Sequence, residues 1–133
     1  MRVALISCSK NKMTIDCSAK EMYSKSMLFK KTFDYCLNQN YDFIFILSAK
    51  HGILKPDDKI SPYELTLNSF SKTDLENWAV RCFKTLQNAG QEEFHFDFYA
   101  GKIYFEELSK LLLHSTNILK GLGIGERLRF LSQ

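Results

Sequence analysis

Three apolar runs in this 133-residue chain end abruptly in small polar residues whose types could do chemistry. Val3-Ala4-Leu5-Ile6 gives way to Ser7-Cys8-Ser9-Lys10-Asn11-Lys12. Phe43-Ile44-Phe45-Ile46-Leu47 gives way to Ser48-Ala49-Lys50-His51-Gly52, and Phe94-His95-Phe96-Asp97-Phe98 to Tyr99-Ala100-Gly101-Lys102. Small residues after a strand let backbone amides face a ligand, and Lys10 and Lys12 add point charges suited to a phosphate or carboxylate. The first segment lacks the glycines and the Lys-Ser/Thr pair of a P-loop. His51 beside Gly52 has the side chain of a general acid or base near neutral pH. Downstream, Asp57, Tyr63 and Glu64 place carboxylates and a phenol on the same loop, for proton transfer or sugar-hydroxyl recognition, or as ordinary turn carboxylates.

Gly101 stands where a strand becomes a helix, a position that favours an anion. Tyr104 then either stacks on a base or packs inward. Cys8, next to two lysines, is read either as a reactive thiol or as a buried structural one. Gly121-Leu122-Gly123-Ile124-Gly125 lacks the spacing of a dinucleotide loop and reads as a tight turn that brings backbone, Gly123 included, to the cleft or to a neighbouring helix. The four cysteines at 8, 17, 36 and 82 show no metal-ligand spacing, so neither a metal nor a cofactor is expected.

These residues need elements to hold them. Residues 2–7 read as a buried parallel strand. From about Ser18 the spacing turns helical, with Met22, Leu28, Phe29, Phe33, Cys36 and Leu37 on one face and a break near Ser24–Ser26. Tyr41–Leu47 is a second strand, and Ser48 to Asn68, which holds both prolines, is a long aperiodic loop. Ser71 and Asp74 form a capping signal ahead of a helix closed by Ala89-Gly90. Phe94–Tyr99 is a third strand, alternating enough to predict partial exposure, followed by a helix over Lys102–Leu113. Ser115–Leu119 is a short fourth strand, and Glu126–Leu131 a terminal helix. The order predicts one domain, residues 1–133, built as a three-layer Rossmann-like α/β sandwich around a mainly parallel sheet of about four strands. The carboxyl ends of such strands share one edge, where ligands of open α/β sheets bind.

The composition, 45% hydrophobic and 25% charged with net charge +3, is that of an ordinary globular protein and too mild to argue nucleic-acid binding from bulk charge. Lysines crowd the first 31 residues, however, and favour a phosphate-bearing partner. No apolar run approaches a membrane span, and the expectation is a cytoplasmic protein with reduced thiols and no membrane partner.

The segment from Leu47-Ser48-Ala49-Lys50-His51-Gly52-Ile53-Leu54 to Pro62-Tyr63 resembles the signature of the YaaA family of peroxide-stress proteins. Leu5-Ile6-Ser7-Cys8-Ser9-Lys10 and Tyr99-Ala100-Gly101-Lys102-Ile103-Tyr104-Phe105 resemble two further segments of that family, and the terminal Gly-rich turn fits its shorter, mostly uncharacterised bacterial and phage members. The resemblance implies a Rossmann-like core and a link to DNA or nucleobase metabolism. The arginine of the longer proteins' Pro-Tyr-Arg segment is replaced here by Glu64.

Taken together, the expectation is an enzyme acting on a nucleotide, a nucleoside or a base in nucleic acid, at an N-glycosidic bond. Ser7, Ser9, Lys10 and Lys12 would hold phosphate, Tyr63 or Tyr104 would orient the base, and Asp57 or His51 would activate water or protonate the leaving base, with no metal required. The competing readings are a non-catalytic DNA or nucleotide binder and a thiol sensor centred on Cys8.

Overall fold

A computed structural model describes residues 1–132. In chain order the elements are β1 (Arg2–Ser7), β2 (Cys17–Ser18), α1 (Ala19–Met22), α2 (Met27–Leu37), β3 (Phe43–Ser48), β4 (Gly52–Leu54), β5 (Lys59–Ile60), α3 (Lys72–Asn88), β6 (His95–Tyr99), α4 (Lys102–Ser109), β7 (His114–Asn117) and α5 (Ile124–Leu131), with one 3-10 turn at Leu67–Ser69. The central sheet has five strands in the order β4-β3-β1-β6-β7. All neighbours are parallel except β4, which folds back antiparallel on β3.

The continuous apolar runs follow from this placement, because central parallel strands are covered on both faces. Val3, Leu5, Phe45, Leu47, Phe96 and Phe98 pack with Trp78, Ala79, Cys82 and Leu86 of α3 and Leu108 of α4. Ala4, Ile6, Ile46 and Tyr99 point the other way, onto Met22, Phe29, Cys36 and Leu131. Helices thus lie on both sides of one sheet, giving the three-layer α/β sandwich read from the sequence.

Local signals set the helix boundaries. Ser26 Oγ accepts from the Phe29 N–H and starts α2 after the predicted break. Ser71 and Asp74 form the reciprocal capping box of α3, satisfying two otherwise orphaned amides.

Several expectations need correcting. The mainly parallel sheet has a fifth strand because the loop read as aperiodic contains β4, and that loop also holds β5. These strands, of three and two residues, are too short to show a period. β5 pairs with β2, Cys17 opposite Ile60 and Ser18 opposite Lys59, in a separate ribbon. Phe96–Tyr99 is buried rather than partly exposed, since β7 pairs along the outer side of β6 and only His95 is open. Leu37 turns outward, 60% exposed. Among the described residues no helix is long and apolar enough to cross a membrane.

Toward the amino end of the sheet, away from the strand ends considered next, buried Asp97 accepts hydrogen bonds from Arg2 Nη2 at 3.0 Å and Tyr41 Oη at 2.7 Å. His95 Nε2 lies 3.1 Å from its other oxygen. This clasp satisfies a buried carboxylate and ties β1, β6 and the start of β3 together.

Candidate functional site

Ser7 lies level with Leu47 of β3, and Ile6 with Tyr99 of β6, so three strand ends open on one rim. The Cys8 N–H continues the ladder by donating to Leu47 O at 2.9 Å. The Cys8 thiol then meets the Tyr104 hydroxyl, sulfur to oxygen 3.3 Å. Ser48 is fully buried, and its Oγ is 2.8 Å from Tyr63 Oη and accepts from the His51 N–H at 3.1 Å. Tyr63 Oη is in turn 2.6 Å from Tyr23 Oη. Trp78 of α3 donates its indole N–H to Ser48 O at 2.9 Å and sets its ring edge-on to Tyr104. Loops after all three strands are therefore locked together by side chains.

Burial pushes the Tyr23 phenol up to about 12 and the Tyr63 and Tyr104 phenols further still, with Cys8 nearby adding to the effect. All three stay protonated and act as hydrogen-bonding groups. His51 goes the other way. Burial first, then the positive charges of Lys50 and Arg81, hold its imidazole below the ordinary value against a smaller pull from Asp58. Its ring stands edge-on to Tyr63, centroids 5.5 Å apart.

Beside this cluster opens a cleft of about 760 Å³, lined among others by Lys10, Lys12, Pro62, Tyr63, Glu64 and Thr66. The Lys12 ammonium sits 4.6 Å from the Tyr63 ring centre and donates to Lys10 O, and Lys50 approaches the same ring at 5.8 Å. A recess of about 220 Å³ runs inward to Cys8, Ser9, Asn68 and Tyr104, with both lysines in its wall as well. A larger hollow, about 920 Å³, lies along the outer edge of β3 among Phe43, Phe45 and Ile53. Volume alone would favour that hollow, but the polar groups converge on the smaller cleft.

Of the residues singled out in the sequence, Ser7, Cys8, Ser9, Lys10, Lys12, Ser48, Tyr63 and Tyr104 gather on this rim, with His51 and Lys50 against Tyr63. Asp57 does not join them. Its carboxylate is 86% exposed and pairs with Lys20 Nζ at 2.9 Å on the edge hollow, because the Pro56-Asp57-Asp58 turn points outward. Gly52 serves the backbone: at φ +72 it reverses the chain into β4. Gly101 caps α4, and its carbonyl accepts from the Tyr104 and Phe105 amides. Gly123 caps α5, its N–H donating to Glu126 Oε1, and it lines none of these cavities. Tyr23 and Trp78 were missed. Trp78 sits at helical core spacing and Tyr23 directly after α1, and nothing in the sequence separates a core aromatic from one whose polar tip reaches a strand end.

Among the described residues no group of three or more His, Cys, Asp or Glu side chains could hold a metal ion.

A family model described as a family of unknown function, DUF6884, matches residues 3–133. The chain belongs to DUF6884. This overturns the resemblance to YaaA, since nothing links the matched family to it. The shared segments have local causes in this DUF6884 chain: Ser48 and Tyr63 bond each other, Gly52 reverses the chain, and Gly101 and Gly123 cap helices. Short motifs of that kind recur wherever an α/β fold needs them. No curated protein matches the chain.

Proposed function

We propose that the rim binds a nucleotide, or a base within a nucleic acid, and that the protein acts on the N-glycosidic bond. One observation carries this reading: cations, a carboxylate and an aromatic surface share a single cleft, with Lys10, Lys12, Glu64 and Tyr63 on its walls. The cations attract an anionic ligand and face the departing base, and a sugar hydroxyl or an attacking water needs the carboxylate. Glu64 takes the role expected of Asp57. It accepts a proton from water as the water oxygen bonds to the anomeric carbon, and the bonding pair leaves with the base. The departing base nitrogen is met by the lysine ammonium groups, which neutralise its charge and return a proton. His51, held toward its neutral form, is a second proton acceptor on the same loop. The four free thiols, two of them buried, support a cytoplasmic setting.

The test is release of free base from the deoxynucleosides, their 5′-monophosphates and a single strand carrying uracil or alkylated bases, followed by chromatography and mass spectrometry. Glu64→Gln is expected to lower release about a hundredfold, the usual contribution of a general base, with binding retained. Lys12→Ala is expected to weaken binding. A wild-type protein that neither binds nor cleaves any of these overturns the reading. Binding without release supports the second reading, a non-catalytic nucleotide binder. That alternative is favoured by the Tyr23–Tyr63–Ser48 hydroxyls, which bond one another and leave little for a substrate.

A further inference from the structure

One crevice on the same rim has no role in this reading. From β1 the chain runs through α1 and α2 to β3, then crosses by way of α3 to β6 on the opposite side of β1. The strand order thus reverses between β1 and β6. Open α/β sheets take ligands beyond the strand ends at such a reversal. A cavity of about 150 Å³ lies there, walled by Ser7 and Ser9 after β1, Tyr99 at the end of β6, Ser26 before α2 and Arg127 of α5. Cys8 and Ser9 line both this crevice and the recess beside Tyr104, so crevice and cleft adjoin at one loop.

We infer that the crevice is an oxyanion subsite that receives the phosphate of the nucleotide whose base occupies the cleft, an inference that rests on the nucleotide reading above. Among the described residues that wall the crevice, Arg127 is the only charged group. Its Nε donates to Leu122 O at 2.9 Å, which fixes the guanidinium plane, and among the described residues Arg127 pairs with no carboxylate. A guanidinium held in this way offers its terminal N–H groups as a fork to two oxygens. Ser7 and Ser26 bring hydroxyl donors, and the first turn of the eleven-residue α2 opens on the same space. The remaining wall includes Leu28, Phe29 and Leu119, which lowers the local dielectric and strengthens each polar contact. The volume suits one tetrahedral oxyanion and is too small for a nucleoside, whose class of ligand fills several hundred Å³ or about that.

Calorimetric titration of the full chain with inorganic phosphate, the four deoxynucleosides and their 5′-monophosphates tests this. Wild type is expected to bind a monophosphate about tenfold or more tighter than its nucleoside, the scale of one charge-assisted fork. Arg127→Ala and Arg127→Gln are expected to erase that preference and to leave nucleoside affinity unchanged. Ser7→Ala, which leaves α5 untouched, is expected to reduce the preference and serves if the Arg127 variants unfold. Lys31→Ala is expected to keep the preference, because Lys31 bonds Ser132 outside the crevice. A preference that survives both Arg127 substitutions overturns the subsite and leaves the nucleotide reading standing. Arg127-dependent binding of inorganic phosphate, with no nucleoside or nucleotide bound, supports the oxyanion site and overturns the nucleotide reading. No binding of any probe to wild type overturns both.

Discussion

Tyr63 Oη lies 2.8 Å from Ser48 Oγ, so a residue from the proline-bearing loop is bolted to the last residue of β3. The bond is buried at both ends and extends to Tyr23 Oη at 2.6 Å. One wall of the cleft is therefore held by hydroxyls that water does not reach.

Tyr63→Phe keeps the ring under Lys12 but removes the middle of this chain. The buried Ser48 and Tyr23 hydroxyls each lose a partner, which is expected to cost about 1–3 kcal/mol. Thermal or urea unfolding measures it. Tyr23→Phe and the double variant should couple, the pair costing less than the sum of the singles. Strict additivity would contradict the shared network.

His51 makes stability depend on pH in a stated direction. Its imidazole is lowered in the folded chain from the ordinary 6.5, so below that value the unfolded chain binds more protons. Stability is therefore lost as pH falls through the ordinary value, and at higher pH both states are neutral and the effect vanishes. Between about pH 7.5 and about pH 5.5, His51→Gln is expected to lose less in melting temperature than wild type. An equal loss in both proteins would show that His51 is fully solvated.

Gly52→Ala is expected to cost about 1–2 kcal/mol through backbone strain at φ +72. The added Cβ would stand 3.6 Å from Arg81 Nε and Cys82 Sγ, ordinary contact distances, so crowding contributes little. Gly90→Ala, at φ +70 with open space around it, is the control for strain alone. Chemical denaturation of the two variants should give similar losses.

Of the four thiols, Cys36 and Cys82 are buried, and burial pushes both up to about 12. Alkylation of the native protein near about pH 8 is expected to spare them, with label found by peptide mapping on the half-buried Cys8 and Cys17. Unfolding should expose all four. Native labelling of Cys82 would mean that α3 opens from the sheet.

Much of this architecture was legible in the residues. Continuous apolar runs such as Val3–Ile6 can only be satisfied with cover on both faces, and that demand specifies central parallel strands. Once parallel, their ends must coincide, which is why Ser7, Ser48 and Tyr104 come together. Asp57 misled because a turn carboxylate has no pattern to say which way it points; that depends on Lys20, reached only through folding. Tyr23 and Arg127 were illegible for a related reason. Tyr23 sits just past the end of α1 and meets Tyr63 forty residues on, and Arg127 lies on α5 but lines a crevice with residues from the start of the chain. Backbone periodicity reports which face is inward and says nothing about what a polar tip will meet there.

The ribbon of β2 and β5 has a consequence for how a ligand would be received. Cys17 and Ser18 are stitched to Ile60 and Lys59, and the Ala19 and Lys20 amides bond the carbonyls of Asp58 and Pro56. The two chain segments that form the lips of the cleft are thereby sewn to each other before anything enters. Their conformational entropy is spent during folding, not at association, so an incoming molecule is spared the cost of ordering these segments.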